Sequence, residues 1–222
     1  IISPNTWVEF NFLKELKIKQ YRFSEEFNFC LPCHTENFNK IKECFNGKEN
    51  LSFLEIGTLE GRSSTWFLDN VLVDSKSKMW CIDPDIKENG KYNLSLHGDK
   101  ATLLQSFSEN ALLQLLNTHR DFFDFIYIDG DHHGYAVLQD IVLSWKLLKC
   151  GGVILFDDYT IIFKDSRMID PKKAIDAFLD IYQNHYELIF KNFQVAIRKT
   201  KNYTPLNLTP GLFKQLQEGT AK

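Results

Sequence analysis

The stretch Phe123–Tyr135, FDFIYIDGDHHGY, passes in one step from an apolar run to Asp129, Asp131, His132 and His133. Carboxylates and imidazoles crowded at the mouth of a buried strand cost desolvation free energy and repel one another, so stability alone does not put them there. A second acidic pair, Asp157 and Asp158, ends the run GVILFDD after an interval that accommodates one helix and its turns. If the two runs are neighbouring parallel strands, their acidic ends meet. Three converging carboxylates, Asp129, Asp157 and Asp158, need a compensating proton or cation, and an all-oxygen set favours a hard divalent ion such as Mg²⁺. Asp131 and His133 read instead as caps of the following helix or as solvent-facing groups.

A second group of residues has the spacing of a small-ligand loop. In LSFLEIGTLEGRSS, Glu55, Gly57, Thr58, Gly61 and Ser63 allow a tight turn with close backbone approach, followed by the start of a helix. Glycine used purely for turn geometry explains the loop equally well. One strand-helix-strand unit later, CIDPD places Asp83 where an acidic residue accepts hydrogen bonds from two ribose hydroxyls. A third strand read over LSLHGD puts Gly98 and Asp99 where an adenine would lie, with Asp99 also able to cap a helix beginning DKATLLQSF. Glu55, Thr58 and Glu60 add bulk and negative charge to the first loop, which disfavours a pyrophosphate cofactor such as NAD. A cationic adenosine compound is accommodated, and S-adenosylmethionine carries a sulfonium and an ammonium.

These residues need a frame that brings strand ends together. From Leu51 the chain alternates short apolar runs (LSFLEIG, KMWCID, LSLHGD, FDFIYIDG, GVILFDD) with helix-length segments. The helix after FDFIYIDG puts Val137, Leu138, Ile141, Val142, Trp145 and Leu148 on one face, and another has Pro171 in its first turn. YELIFKN and FQVAIRK close the pattern as a hairpin. The expected fold is α/β: a Rossmann-like, doubly wound, seven-stranded sheet, mostly parallel with an antiparallel last strand. Residues 1–50 read as a helical N-terminal extension (TWVEFNFLKELKIKQY, HTENFNKIKECF), residues 51–200 as the ligand-binding domain, and 201–222 as a C-terminal tail.

Composition narrows the partners. Lys and Arg number 26 against 29 Asp and Glu in 222 residues, so no broad basic field for nucleic acid is expected, and no apolar run is long enough for a membrane span. A small molecule is the expected partner, with oligomeric state left open. The chain opens IISPN, without Met or a secretory pattern, and its 5 cysteines are odd in number and irregularly spaced. They read as reduced thiols, which suggests the cytoplasm. CLPCH (Cys30 to His34) matches a haem-attachment pattern or half a zinc site, but no second C-x-x-C or His pair at zinc-finger spacing follows, and a structural or incidental role is the better reading.

FLEIGTLEGRSS, CIDPD, FDFIYIDGDHHGY and LLKCGGVILFDDY, in that order, resemble class I S-adenosylmethionine-dependent methyltransferases, most closely the branch that includes macrocin-type and other macrolide-sugar O-methyltransferases. The resemblance covers roughly Leu51 to Lys199. It implies a seven-stranded sheet with a reversed last strand, in agreement with the strand reading. It also implies Mg²⁺ held by Asp129, Asp157 and Asp158, a general base at His132 in preference to His133, and a donor site that includes Asp129. The implied reaction is magnesium-assisted O-methylation of a small-molecule, sugar-like hydroxyl. The alternative is a non-catalytic or regulatory S-adenosylmethionine-binding protein of the same fold. Trp7, Phe10, Phe12, Tyr159 and Phe163 are candidate ring-stacking residues for the acceptor, though aromatics are more often core.

Overall fold

Seven strands assemble into one sheet in the computed structural model, which describes residues 19–25, 31–165, 167–202 and 215. In chain order the elements are α1 (Leu31–Glu43), β1 (Ser52–Ile56), α2 (Arg62–Asn70), β2 (Lys78–Asp83), α3 (Glu88–Ser95), β3 (Ala101–Gln105), α4 (Ser108–Leu115), β4 (Phe123–Ile128), α5 (Gly134–Leu147), β5 (Leu148–Phe156), α6 (Pro171–Ile181), β6 (Tyr186–Lys191) and β7 (Val195–Lys199). The strand order is β3-β2-β1-β4-β5-β7-β6. β1 to β5 are parallel, and β7 runs antiparallel to both of its neighbours, as the sequence pattern predicts. Among the described residues no helix is long and apolar enough to cross a membrane.

The strands are apolar on both faces because both faces are covered. In β4, Ile126 and Ile128 pack with Ile141 and Trp145 of α5 and Phe178 of α6, while Phe125 and Tyr127 turn to the opposite layer. There Phe38, Ile41 and Phe45, from α1 and the turn after it, join Phe53 and Phe67. α1 therefore belongs to the same hydrophobic core as the sheet. The expected helix TWVEFNFLKELKIKQY lies outside the described residues except for residues 19–21, which carry no helix. Trp7, Phe10, Phe12, Cys30 and the tail from Tyr203, Gln215 excepted, also lie outside them.

Register sets the level of the strand ends. Ile56 pairs with Ile82 and with Ile128, and Ile128 pairs with Phe156. Gly57, Asp83, Asp129 and Asp157 therefore leave the sheet at one edge. The strand order reverses between β1 and β4, and in open α/β sheets the ligand crevice lies outside the carboxyl ends at such a point.

The third strand departs from the expectation. LSLHGD is not a strand: α3 runs to Ser95, Leu94 is buried against the sheet, and Gly98–Lys100 form a short 3₁₀ turn. The strand is Ala101–Gln105, and the expected helix DKATLLQSF is displaced to Ser108–Leu115. Met79 pairs with Ala101 and Asp83 with Gln105, so Gly98 and Asp99 precede β3 and sit at the edge opposite the crevice. Asp99 is exposed there and paired with Lys78 at the start of β2, 2.7 Å away. Neither residue is placed to reach an adenine at the carboxyl edge.

Candidate active site

The loop after β1 is built around a buried acid. Glu55 is fully buried, and its carboxylate accepts hydrogen bonds from Ser63, Ser64 and, at 3.3 Å, Thr58. Burial pushes its carboxyl up to about 7, against the opposing pull of those three hydroxyls. Glu55, Thr58 and Ser63 thus form an internal clasp between loop and helix, and what faces a ligand here is backbone. Gly57 has φ 92°, and a Cβ on it would lie 1.8 Å from the Asp129 carbonyl oxygen. This glycine is required by contact between the β1 and β4 loops. Gly61, φ 72°, takes the left-handed turn into α2.

Asp83 keeps its expected place at the end of β2. One carboxylate oxygen accepts Leu59 N–H at 2.8 Å and the other accepts Asp85 N–H at 2.7 Å. Each retains a lone pair for a further donor. Glu60 faces away from this crevice: it accepts Ser24 N–H at 2.7 Å, Ser24 Oγ–H at 2.6 Å and Asn89 Nδ2 at 2.9 Å. Asn93 donates to Glu60 O and Arg22 O and accepts Arg22 N–H, so residues 22–24 are strapped along the outside of the loop.

Across the switch point, Asp129, His132 and Asp158 converge. His132 Nε2 lies 2.9 Å from Asp158 Oδ2 and 3.8 Å from Asp129 Oδ1. One ligand-type atom from each of the three falls within 4.8 Å of the others. Apart from that contact with His132, the buried Asp158 Oδ2 has no hydrogen-bond donor among the described residues. Burial, then the charges of Asp157 and Asp158, hold the Asp129 carboxyl well above the usual range. Contact with Asp158 raises His132 despite its partial burial. His133 instead caps α5, accepting Tyr135 N–H at 3.3 Å, while Asp131 accepts His133 N–H at 2.8 Å.

Asp157 lies beside this convergence and shares the Tyr127 hydroxyl with Asp129, whose Oδ2 is 3.1 Å from it. Asp157 Oδ2 receives Tyr127 O–H, Gln194 Nε2 at 2.9 Å and His34 Nε2 at 3.3 Å, and its Oδ1 receives Asp158 N–H at 2.7 Å. Burial would raise the Asp157 carboxyl, but the bonds from His34, Tyr127 and Gln194 outweigh it and hold it below the usual range. Of the three carboxylates expected to hold a cation, Asp157 is the one outside the closest convergence, which Asp129 and Asp158 make with His132. Tyr127, Gln194 and His34 were missed as site residues. Tyr127 and Gln194 did carry a signal, as polar groups inside apolar strand runs that require buried partners.

The chain is similar to proteins of known family and fold. A family model described as a methyltransferase domain matches residues 54–159, which hold the glycine loop, Asp83, Asp129, His132 and Asp158. Over this span, just under half of its length, the chain is similar to a methyltransferase domain. The chain is 31% identical over 150 residues to an uncharacterized protein, R132, of Acanthamoeba polyphaga mimivirus, covering 64% of each. The O-methyltransferase hkm8 of Aspergillus hancockii is 34% identical over 113 residues, covering 49% of this chain and 43% of that protein. The chain thus spans less than two thirds of these relatives. The fold matches the MycE methyltransferase of the mycinamycin biosynthetic pathway, solved with Mg, S-adenosylhomocysteine and mycinamycin VI. That match has a TM-score of 0.60 at 13% identity, over 89% of this chain and 57% of that one.

Proposed function

We propose that this chain is an S-adenosylmethionine-dependent O-methyltransferase acting on a hydroxyl of a small molecule, with a divalent cation, Mg²⁺ in the first instance, at the acid cluster. The observation that carries it is the contact between the two halves of the crevice. Gly57 packs against the backbone of Asp129, so the donor loop and the Asp129–His132–Asp158 cluster share one wall. The methyltransferase domain match, an O-methyltransferase among the relatives, and the magnesium and macrolide described for MycE support the reading. A sugar-like acceptor follows from the macrolide-sugar resemblance.

The chain's own residues divide the work. Asp83 presents carboxylate oxygens to the donor's ribose, and the β1 loop lets backbone approach the rest of the donor. S-Adenosylmethionine would supply the methyl group. The close convergence of Asp158 and Asp129 with His132, and the raised carboxyl of Asp129, both fit a cation, which would lower the pKa of an acceptor hydroxyl. His132 takes the hydroxyl proton, and Asp158 beside it stabilises the resulting imidazolium. Asp157 is held from below and keeps the turn in place. Methyl transfer from labelled S-adenosylmethionine to sugar and phenol acceptors, with Mg²⁺ and with EDTA, tests the reading. Transfer that Asp158→Asn abolishes while S-adenosylhomocysteine still binds is the expected result. Full turnover in EDTA removes the cation, and no binding of either adenosyl compound removes the function.

A further inference from the structure

The backbone at Asp158 has φ 57°, in the left-handed region. For a residue with a Cβ that conformation is disfavoured, and it persists where the surroundings over-determine it. The surroundings can be traced. Asp158 N–H donates to Asp157 Oδ1, Asp158 O accepts Ile161 N–H at 3.0 Å, and Tyr159 N–H donates to Phe193 O at 2.9 Å. The Asp157 carboxylate inside this turn is held in turn by Tyr127 of β4, by Gln194 at the entry to β7, and by His34 of α1. Edge-on contact with Phe193, 5.3 Å between centroids at 81°, sets the plane of the His34 ring. One turn further along α1, the buried Asn37 donates to Gln194 Oε1 at 2.9 Å and to Asn192 Oδ1 at 3.0 Å, and accepts from Asn192 at 3.0 Å. α1 therefore reaches Asp157 twice, directly through His34 and indirectly through Gln194.

We infer that His34 is a positioning residue of the active site: wedged between Phe193 and Asp157, it fixes the Asp157 carboxylate and, through the bond to Asp158 N–H, the turn that aims Asp158 at Asp129 and His132. The N-terminal helix then completes the site as well as covering the sheet. The inference rests on reading that cluster as a cation and base site. Outer partners of this kind typically change metal affinity 10–100-fold.

The test uses the full chain without donor or acceptor. Mn²⁺ affinity is measured by paramagnetic resonance or calorimetry, alongside the ¹⁵N imidazole resonances of His132. His34→Ala is expected to weaken Mn²⁺ binding at least ~10-fold and to move the His132 resonances, with S-adenosylhomocysteine affinity kept within twofold. His34→Gln, which retains an N–H donor, should recover most of both readouts. If His34→Ala does not fold, His34→Phe, which keeps the ring contact without the N–H, is read in the same way. A folded variant with parental Mn²⁺ affinity and parental His132 resonances overturns the inference. So does an equal loss of S-adenosylhomocysteine affinity, which would mean general loosening. A parent that binds no Mn²⁺ removes the cation reading instead. The His132 resonances then decide alone: moved and rescued by Gln in support, unmoved against.

Discussion

His132 and Glu55 are the two side chains whose chemistry leads most directly to measurement. His132, paired with Asp158 at 2.9 Å, is the proposed base, and His132→Ala should lower kcat by ~10²–10⁴-fold with donor affinity unchanged. Turnover like the parent's would remove it from the mechanism. Glu55 gives a pH signature in stability. Its carboxyl is raised in the folded chain, to about 7 from an ordinary 4.5, so the stability it contributes is present below about 4.5 and is lost as pH rises through about 7. A shift of that size is worth roughly 3 kcal/mol. The stability of Glu55→Gln relative to the parent should therefore climb by about that much between pH 4 and pH 8 in denaturant titrations. A flat difference would mean that Glu55 is not the buried proton-holder described here. Residue type made the cluster legible in the sequence, because acids and imidazoles have little reason to sit at a buried strand mouth. Orientation was not legible. Asp157 and Asp158 are adjacent, side chains on an extended chain alternate in direction, and the spacing does not say which of the two faces the crevice.

At the scale of elements, strands buried on both sides are legible in the sequence and the edge strand is not. β2 and β4 matched their apolar runs. β3 was displaced because it is an edge strand with mostly exposed side chains, while the Leu-Ser-Leu of the α3 end imitates strand alternation. His34 was hidden for another reason: it stood in a cysteine pattern, and nothing in local spacing shows that α1 docks over Asp157. Two variants test how elements hold the crevice. Gly57→Ala drives a methyl into the Asp129 carbonyl, so the donor loop and the β4 loop must part, and S-adenosylhomocysteine binding should fall by at least ~10-fold. Binding as tight as the parent's would mean the loops separate freely. Phe38 of α1 packs 4.7 Å from Phe67 and 5.6 Å from Tyr127, centroid to centroid. Phe38→Ala should cost about 3–5 kcal/mol of stability in denaturant titration, whereas a cost below about 1 kcal/mol would show α1 to be loosely docked.

For the whole molecule the donor is a ligand of the folded state, and binding must appear as stability. At about 100 times its dissociation constant, S-adenosylhomocysteine should add ~2.7 kcal/mol, read as a rise in Tm, and NAD should add nothing. Equal stabilisation by both would assign the crevice to dinucleotides in general. The overall architecture was legible because β/α alternation and the closing hairpin are long-range patterns written in short-range periodicity. Contacts between α1, the β5 turn and the entry to β7 depend on how layers stack, which no single segment encodes. The left-handed turn at Asp158 has a consequence for how this chain would evolve under different demands. Glycine fits that backbone without a Cβ, and asparagine tolerates it without a charge to bury. A library randomised at position 158 and sorted only for folded, soluble protein should drift toward those two residues. An aspartate that survived such sorting only when catalytic output was also demanded would mark the point where folding and chemistry compete for one position.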